Sequence, residues 1–314
     1  MLRNADSIRR VQRKNGWLYI HYQDIDAIRL IMGFNARRIA KNKPPYPVLV
    51  GSEFEKSDLE EAKSAVMFGK GIVYGSSASG PISTADREVL RIQTLYQDGK
   101  TCWSMTNQER DSLLTMPQYA DLTTDLMELS VNVYLAFEQT KIISGNLSTL
   151  TSADKLYILG HGRAGLPKIG SGIDETKLIH IRVLVKRLKE SGLSKEIRDI
   201  RINACESGAS IPITSFKNLE SPSLSYRLKK ILTMKKSTAM ILSEELFHAG
   251  YSDVIVTGYH GYGSTYYRFE KERYRERFLG TTEGMRLTYL KEKMRASTVR
   301  QSFRNGKELT ITRL

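Results

Sequence analysis

Two side chains in this sequence have the type and setting that nucleophilic chemistry requires, His161 and Cys205. A thiol attacks as its thiolate; a nearby imidazole favours that ionisation and returns the proton to a leaving amine. His161 stands in Gly160-His161-Gly162, directly after the apolar run Leu156-Tyr157-Ile158-Leu159. Cys205 closes the run Ile200-Arg201-Ile202-Asn203-Ala204. The glycines beside His161 permit a tight turn and close approach of a substrate backbone. The backbone amides of Gly162 and Cys205 are the candidate oxyanion donors, and Ser207-Gly208 lets the chain turn sharply after the thiol. Taken singly, a cysteine reads as a small buried hydrophobe and a histidine among glycines as a loop residue. Their joint placement at two successive strand ends favours function. Cys102, in Thr101-Cys102-Trp103-Ser104, has no such setting and reads as structural.

The elements that must position this pair follow from hydrophobic periodicity. Lys155–Leu159 and Ile197–Ala204 read as short buried strands, and Thr176–Ser191 between them as a helix with Leu178, Ile181, Leu184, Val185 and Leu188 on one stripe. A helix over Ser237–Gly250 and a third strand over Asp253–Gly258 complete a strand–helix alternation with connections short enough for a parallel sheet. In such sheets sites form beyond the carboxyl ends of the strands, and right-handed crossovers set successive strands side by side. Upstream, Gly16–Tyr22 and Pro47–Val50 read as strands, Asp24–Ile39 as a helix, and 57–68, Thr84–Tyr96, Thr106–Leu114 and Leu122–Leu129 as further helices. Val131–Phe137, β-branched and aromatic, reads as a strand. Gly69–Pro81 reads as an exposed loop. The third catalytic group is not evident; Glu138 and Asp154 are candidates by proximity in sequence alone.

The chain divides on this reading into residues 1–130, of unassigned role, and a catalytic unit over 131–314. Its composition is that of a globular protein able to bury a core, with 40% hydrophobic and 26% charged residues. No apolar run approaches the ~18 residues of a membrane-spanning helix, and the first residues carry charge without the apolar stretch of a Sec-type signal. Two cysteines make neither a disulfide framework nor a four-cysteine metal site, which fits a reducing compartment and no metal. The net charge of +14 attracts anions: nucleic acid, acidic lipid or a small polyphosphate. No nucleic-acid motif or aromatic stacking platform accompanies it.

A hydrophobic block ending in His-Gly, a spacer carrying a helix, and a second block ending in Ala-Cys resemble the caspase-like cysteine peptidases, clan CD. The matching segments are Leu156–Gly162 and Ile200–Cys205. Within that clan the sequence is most similar to the autoprocessing protease domains of large bacterial toxins and to stand-alone type III effectors of the OspB-like group. Leu156–Arg163, the strand into Cys205, and Leu246-Phe247-His248-Ala249-Gly250 with its following strand carry that likeness, over roughly residues 130–314. The resemblance implies an α/β fold with a central, mostly parallel sheet flanked by helices, a C-terminal β-flap and an N-terminal α/β extension. It further implies a His161–Cys205 endopeptidase activated by inositol hexakisphosphate, delivered by a non-Sec route into a host cytoplasm, and acting on a host protein or on itself. The polyphosphate candidates are Arg182, Lys186, Arg268, Lys271, Arg273, Arg275 and Lys291. Glu270, Glu272 and Glu276 alternate with bases in that last region, as they do on a solvated helix. The sequence matches no recognisable specificity pocket or cleavage junction of the family. Two other readings stand beside the protease: a non-catalytic basic binding module on the same scaffold, and an acyl transferase or ligase using the same thiol.

Overall fold

The computed structural model describes residues 15–69, 84–115, 124–172, 175–213, 215–220, 224–263, 276–280 and 290–309. The loop expected over Gly69–Pro81 lies, but for its first residue, outside the described residues.

The chain is an α/β protein built on an eight-stranded, mostly parallel sheet. In the N-terminal part, β1 (Asn15–Tyr19) leads into α1 (Ile25–Ile39), then β2 (Val48–Val50), α2 (Glu53–Phe68), α3 (Thr84–Ser104), α4 (Asn107–Leu114), α5 (Thr124–Gln139) and β3 (Ile142–Ser144). Next come β4 (Asp154–Leu159), the small strands β5 (Lys168–Ile169) and β6 (Ile179–His180), α6 (Ile181–Glu190) and β7 (Asp199–Asn203). The remainder is α7 (Lys217–Glu220), α8 (Leu224–Thr233), α9 (Thr238–His248), β8 (Ile255–Tyr259), β9 (Glu276–Gly280), β10 (Leu290–Arg295), β11 (Arg300–Arg304) and β12 (Lys307–Leu309).

The sheet order is β12-β11-β8-β7-β4-β1-β2-β3. β8, β7, β4, β1, β2 and β3 run parallel, while β11 and β12 add antiparallel pairs at one edge. Both faces of the parallel part are covered, which explains its near-continuous apolar strands. Leu156 and Ile158 of β4 pack in one core with Leu184 and Leu188 of α6 and Leu242 and Leu246 of α9. Tyr157 and Leu159, one residue out of phase, pack in the other with Ile28 and Ile31 of α1 and Phe137 of α5. Each fully buried Leu or Ile contributes about 1.5–3 kcal/mol, so a one-residue slip of β4 would exchange both cores and is strongly disfavoured.

The chain leaves β1 toward β2 and β3, then returns to the other side of β1 and proceeds through β4, β7 and β8. The strand order therefore reverses between β1 and β4. At that point the connections from the two carboxyl ends diverge to opposite faces of the sheet, the place where sites form in sheets of this kind. The N-terminal strands β1, β2 and β3 thus share a single sheet with β4, β7 and β8, with β1 directly against β4.

Several local expectations change. Val131–Phe137 is the second half of helix α5, not a strand. Met127, Ser130, Val133, Ala136 and Phe137 are buried at spacings of three and four, and this periodicity overrides the β-branched residues of the segment. The second helix begins at Glu53, capped by Ser52, which accepts a hydrogen bond from Glu55 N. The helix expected from Thr176 begins at Ile181, because 168–180 first doubles back as the β5–β6 hairpin. Near the C-terminus, Glu276 belongs to a strand that pairs with β10 in a separate antiparallel hairpin. β12, beside β11, is described as far as Leu309.

Candidate active site

β4 and β7 are paired in register with Leu159 opposite Asn203. His161 and Cys205 each stand two residues beyond those partners, at the carboxyl ends of adjacent strands. The structure brings the loops together: the Gly162 Cα points at Ala204 Cβ and the Cys205 carbonyl, and a side chain there would meet them at 3.3 and 3.5 Å. His161 and Cys205 are both partly exposed. No direct hydrogen bond joins the thiol to the imidazole among the described residues. Neither Gly162 N nor Cys205 N donates a backbone hydrogen bond among the described residues, which leaves both amides available to an oxyanion.

The backbone of His161 is fixed by an isolated antiparallel bridge. Its amide donates to Gly170 O at 2.8 Å and its carbonyl accepts from Gly170 N at 3.4 Å. Its ring is fixed by a residue that sequence reasoning missed. Asp26, in the first turn of α1 and 1% exposed, lies 3.1–3.2 Å from His161 Nε2. The carboxylate also accepts from Arg29 Nη2 at 2.6 Å, from Gly172 N at 3.0 Å and from Tyr22 Oη at 3.3 Å. Burial alone would raise the Asp26 carboxyl. The hydrogen bond and charge of His161, the charge of Arg29 and the Gly172 amide outweigh it and hold the group well below the usual carboxylate range. The first turn of a helix adds to the preference for an anion. Asp24 caps the same helix, accepting from Ala27 N at 2.9 Å, and takes a second hydrogen bond from Ser171 Oγ at 2.8 Å. The start of α1 is thereby tied to the loop under His161.

His161 Nε2 also lies 3.1 Å from Arg29 Nη2; when protonated at Nε2 the ring donates to the Asp26 carboxylate and keeps Nδ1 as the basic nitrogen. Glu138 and Asp154 do not play this part. Glu138 accepts from Tyr96 Oη at 3.2 Å on α5, and Asp154 starts β4, at the end of the strand opposite His161, holding Thr151 and Trp17. The signal for Asp26 was present, since an Asp-x-Asp at the junction of a strand and a helix is a site-forming position. Only the insertion of β1 beside β4 connects it to His161.

The segment carrying Cys205 is locked from both sides. Ser207 Oγ donates to Ile202 O at 3.0 Å and accepts from Tyr259 N at 3.1 Å. The sharp turn expected from Ser207-Gly208 is made instead at Glu206, whose φ of 50° is left-handed. Gly208 serves close packing: a side chain there would meet the Gly258 carbonyl carbon at 3.0 Å. Glu206 is buried, which pushes its carboxyl up, and accepts from Ala164 N at 3.3 Å. Tyr262 stands near Cys205, Glu206 and Arg163; burial first, then the negative groups beside it, push its hydroxyl up.

Arg277 of β9 is 1% exposed and reaches the strand that delivers the thiol. It donates to Ala204 O at 3.1 Å and to Asn203 Oδ1 at 3.0 Å, with its guanidinium 4.8 Å from the centre of the Tyr259 ring. Ile213 and Phe216 pack with Leu279 of β9 and Val299, joining the hairpin to the segment after Cys205.

The polyphosphate candidates do not converge among the described residues. Arg182 is held by Glu245 at 3.1 Å and Lys186 lies 3.8 Å from Glu190, both on the solvent face of α6. Arg268, Lys271, Arg273 and Arg275 lie outside the described residues, as does the side chain of Lys291 in β10. Arg182 and Lys186, each beside an acid on the solvent face of α6, do not by themselves fit a polyphosphate cradle. Among the described residues no group of three or more His, Cys, Asp or Glu is placed to hold a metal ion, and no helix is long and apolar enough to cross a membrane. No family model, curated protein or solved structure matches the chain.

Proposed function

We propose that this protein is a cysteine endopeptidase in which Cys205 is the nucleophile, His161 the acid–base and Asp26 the group that orients His161. The reading is carried by the buried Asp26 carboxylate on His161 Nε2, with Cys205 at the end of the next strand. The thiolate of Cys205 attacks the peptide carbonyl carbon, and the Gly162 and Cys205 amides receive the oxyanion. As the tetrahedral centre collapses, the C–N bond breaks and imidazolium His161 gives its Nδ1 proton to the leaving amine. Water then attacks the thioester, His161 accepting its proton, and the C–S bond breaks to release the Cys205 thiolate and the carboxylic acid. Asp26 holds the ring through both steps.

The caspase-like assignment, the inositol hexakisphosphate activator and action inside a host cell rest on the sequence resemblance. The charge of +14 and the link from the β9–β10 hairpin to Ala204 through Arg277 support ligand control of the thiol. The test is labelling by a thiol-directed electrophilic peptide, with and without inositol hexakisphosphate. We expect Cys205 to be modified, Cys102 to be spared, and modification to fall in His161→Ala. Equal labelling of both cysteines, indifferent to His161, would overturn the reading.

A further inference from the structure

Helix α8, between the thiol-bearing segment and α9, exposes an apolar stripe that the proposed chemistry does not use. Leu224, Leu228, Ile231 and Leu232 are 73%, 49%, 69% and 79% exposed, and Met234, where the helix ends at a left-handed φ of 48°, is 87% exposed. At ~100° per residue these leucines and the isoleucine fall within about one-third of the helix circumference. Among the described residues no element covers them. Burying so much apolar surface elsewhere in the fold while leaving this stripe in water calls for an external partner.

The charges around the stripe state which partner. From Leu224 to Lys236 the chain carries Arg227, Lys229, Lys230, Lys235 and Lys236 and no acidic residue. Arg227 borders one edge of the stripe and Lys229 the other. Lys236 is paired with Glu244 at 2.6 Å, and an apolar face bordered by Arg227 and Lys229 is complementary to a surface with negative groups above a hydrocarbon layer.

We infer that α8 docks in the interface of an anionic lipid bilayer, its apolar stripe among the acyl chains and its lysines and arginine on the headgroups. The helix lies beside the candidate site: the side chain of Lys235 rests against Gly165 in the loop that follows His161. Docking sets the loop after His161 near the lipid surface. The inference depends on α8 alone and holds whether or not Cys205 is catalytic.

The experiment is sedimentation of the full chain with vesicles of phosphatidylcholine, with and without about 30% phosphatidylserine, at about 0.15 M salt. The variant Leu228→Gln/Ile231→Gln/Leu232→Gln alters exposed positions only and leaves the net charge unchanged; an unshifted thermal melt verifies its fold. We expect the wild type to bind the anionic vesicles and this variant to bind them at least about tenfold more weakly. Equal binding by both would reduce the effect to the overall charge and overturn the inference. So would failure of the wild type to bind, including the case in which it self-associates through a face that the variant abolishes.

Discussion

Asp26 and His161, 135 residues apart in sequence, meet at 3.1 Å where the strand order of the sheet reverses. The contact joins the first turn of α1 to the end of β4, so the N-terminal part of the chain contributes a member of the candidate site. Asp26→Asn keeps the shape but removes the charge and favours the other imidazole tautomer. We expect kcat/KM for a peptide substrate to fall by about 10²–10⁴-fold, and loss of the negative charge facing Arg29 to lower stability by about 1–3 kcal/mol. A pH–rate profile that shifts along with the loss separates the orienting role from a purely structural one.

Gly172 tests the ring position without touching a charge. A methyl group there would stand 2.8 Å from His161 Cδ2 and Nε2, closer than a carbon contact allows. Gly172→Ala should displace the ring and reduce turnover by about 10–100-fold, with a thermal midpoint close to that of the wild type.

Arg277→Met removes the donors that satisfy the Ala204 carbonyl and the Asn203 side chain. The Ala204 carbonyl left unmatched in the interior costs about 1–3 kcal/mol. We expect a lower unfolding midpoint in urea, and a slower rate of Cys205 labelling measured well below that midpoint. Unchanged labelling would make Arg277 a packing residue only.

His21 makes stability depend on pH. It is 3% exposed, and burial, helped by the charge of Arg187, drives its pKa down to about 4, outweighing the Lys177 carbonyl that its Nε2 approaches at 3.3 Å. The unfolded chain, with an ordinary imidazole near 6.5, binds the proton that the folded chain refuses. The stability held above pH 6.5 is therefore lost as pH falls through this range to about 4, by roughly 3 kcal/mol in all. Urea titrations at several pH values should show this slope in the wild type and its loss in His21→Gln.

The sequence by itself determined the strand–helix alternation from Lys155 to Gly258, because buried parallel strands and one-sided helices carry local periodicities. It also singled out His161 and Cys205 as candidates, since each closely follows an apolar run. Val131–Phe137 was misread because its β-branched residues speak locally for a strand, whereas the buried face of α5 is defined only by the helices and strands it meets. Tertiary structure alone decided that β1 lies beside β4, and so that Asp26 holds His161. Strand order is a property of long-range pairing that no local pattern records. It also decided that Arg277, one base among many in a charged stretch, is buried against Ala204, while the apolar residues of α8 remain in solvent.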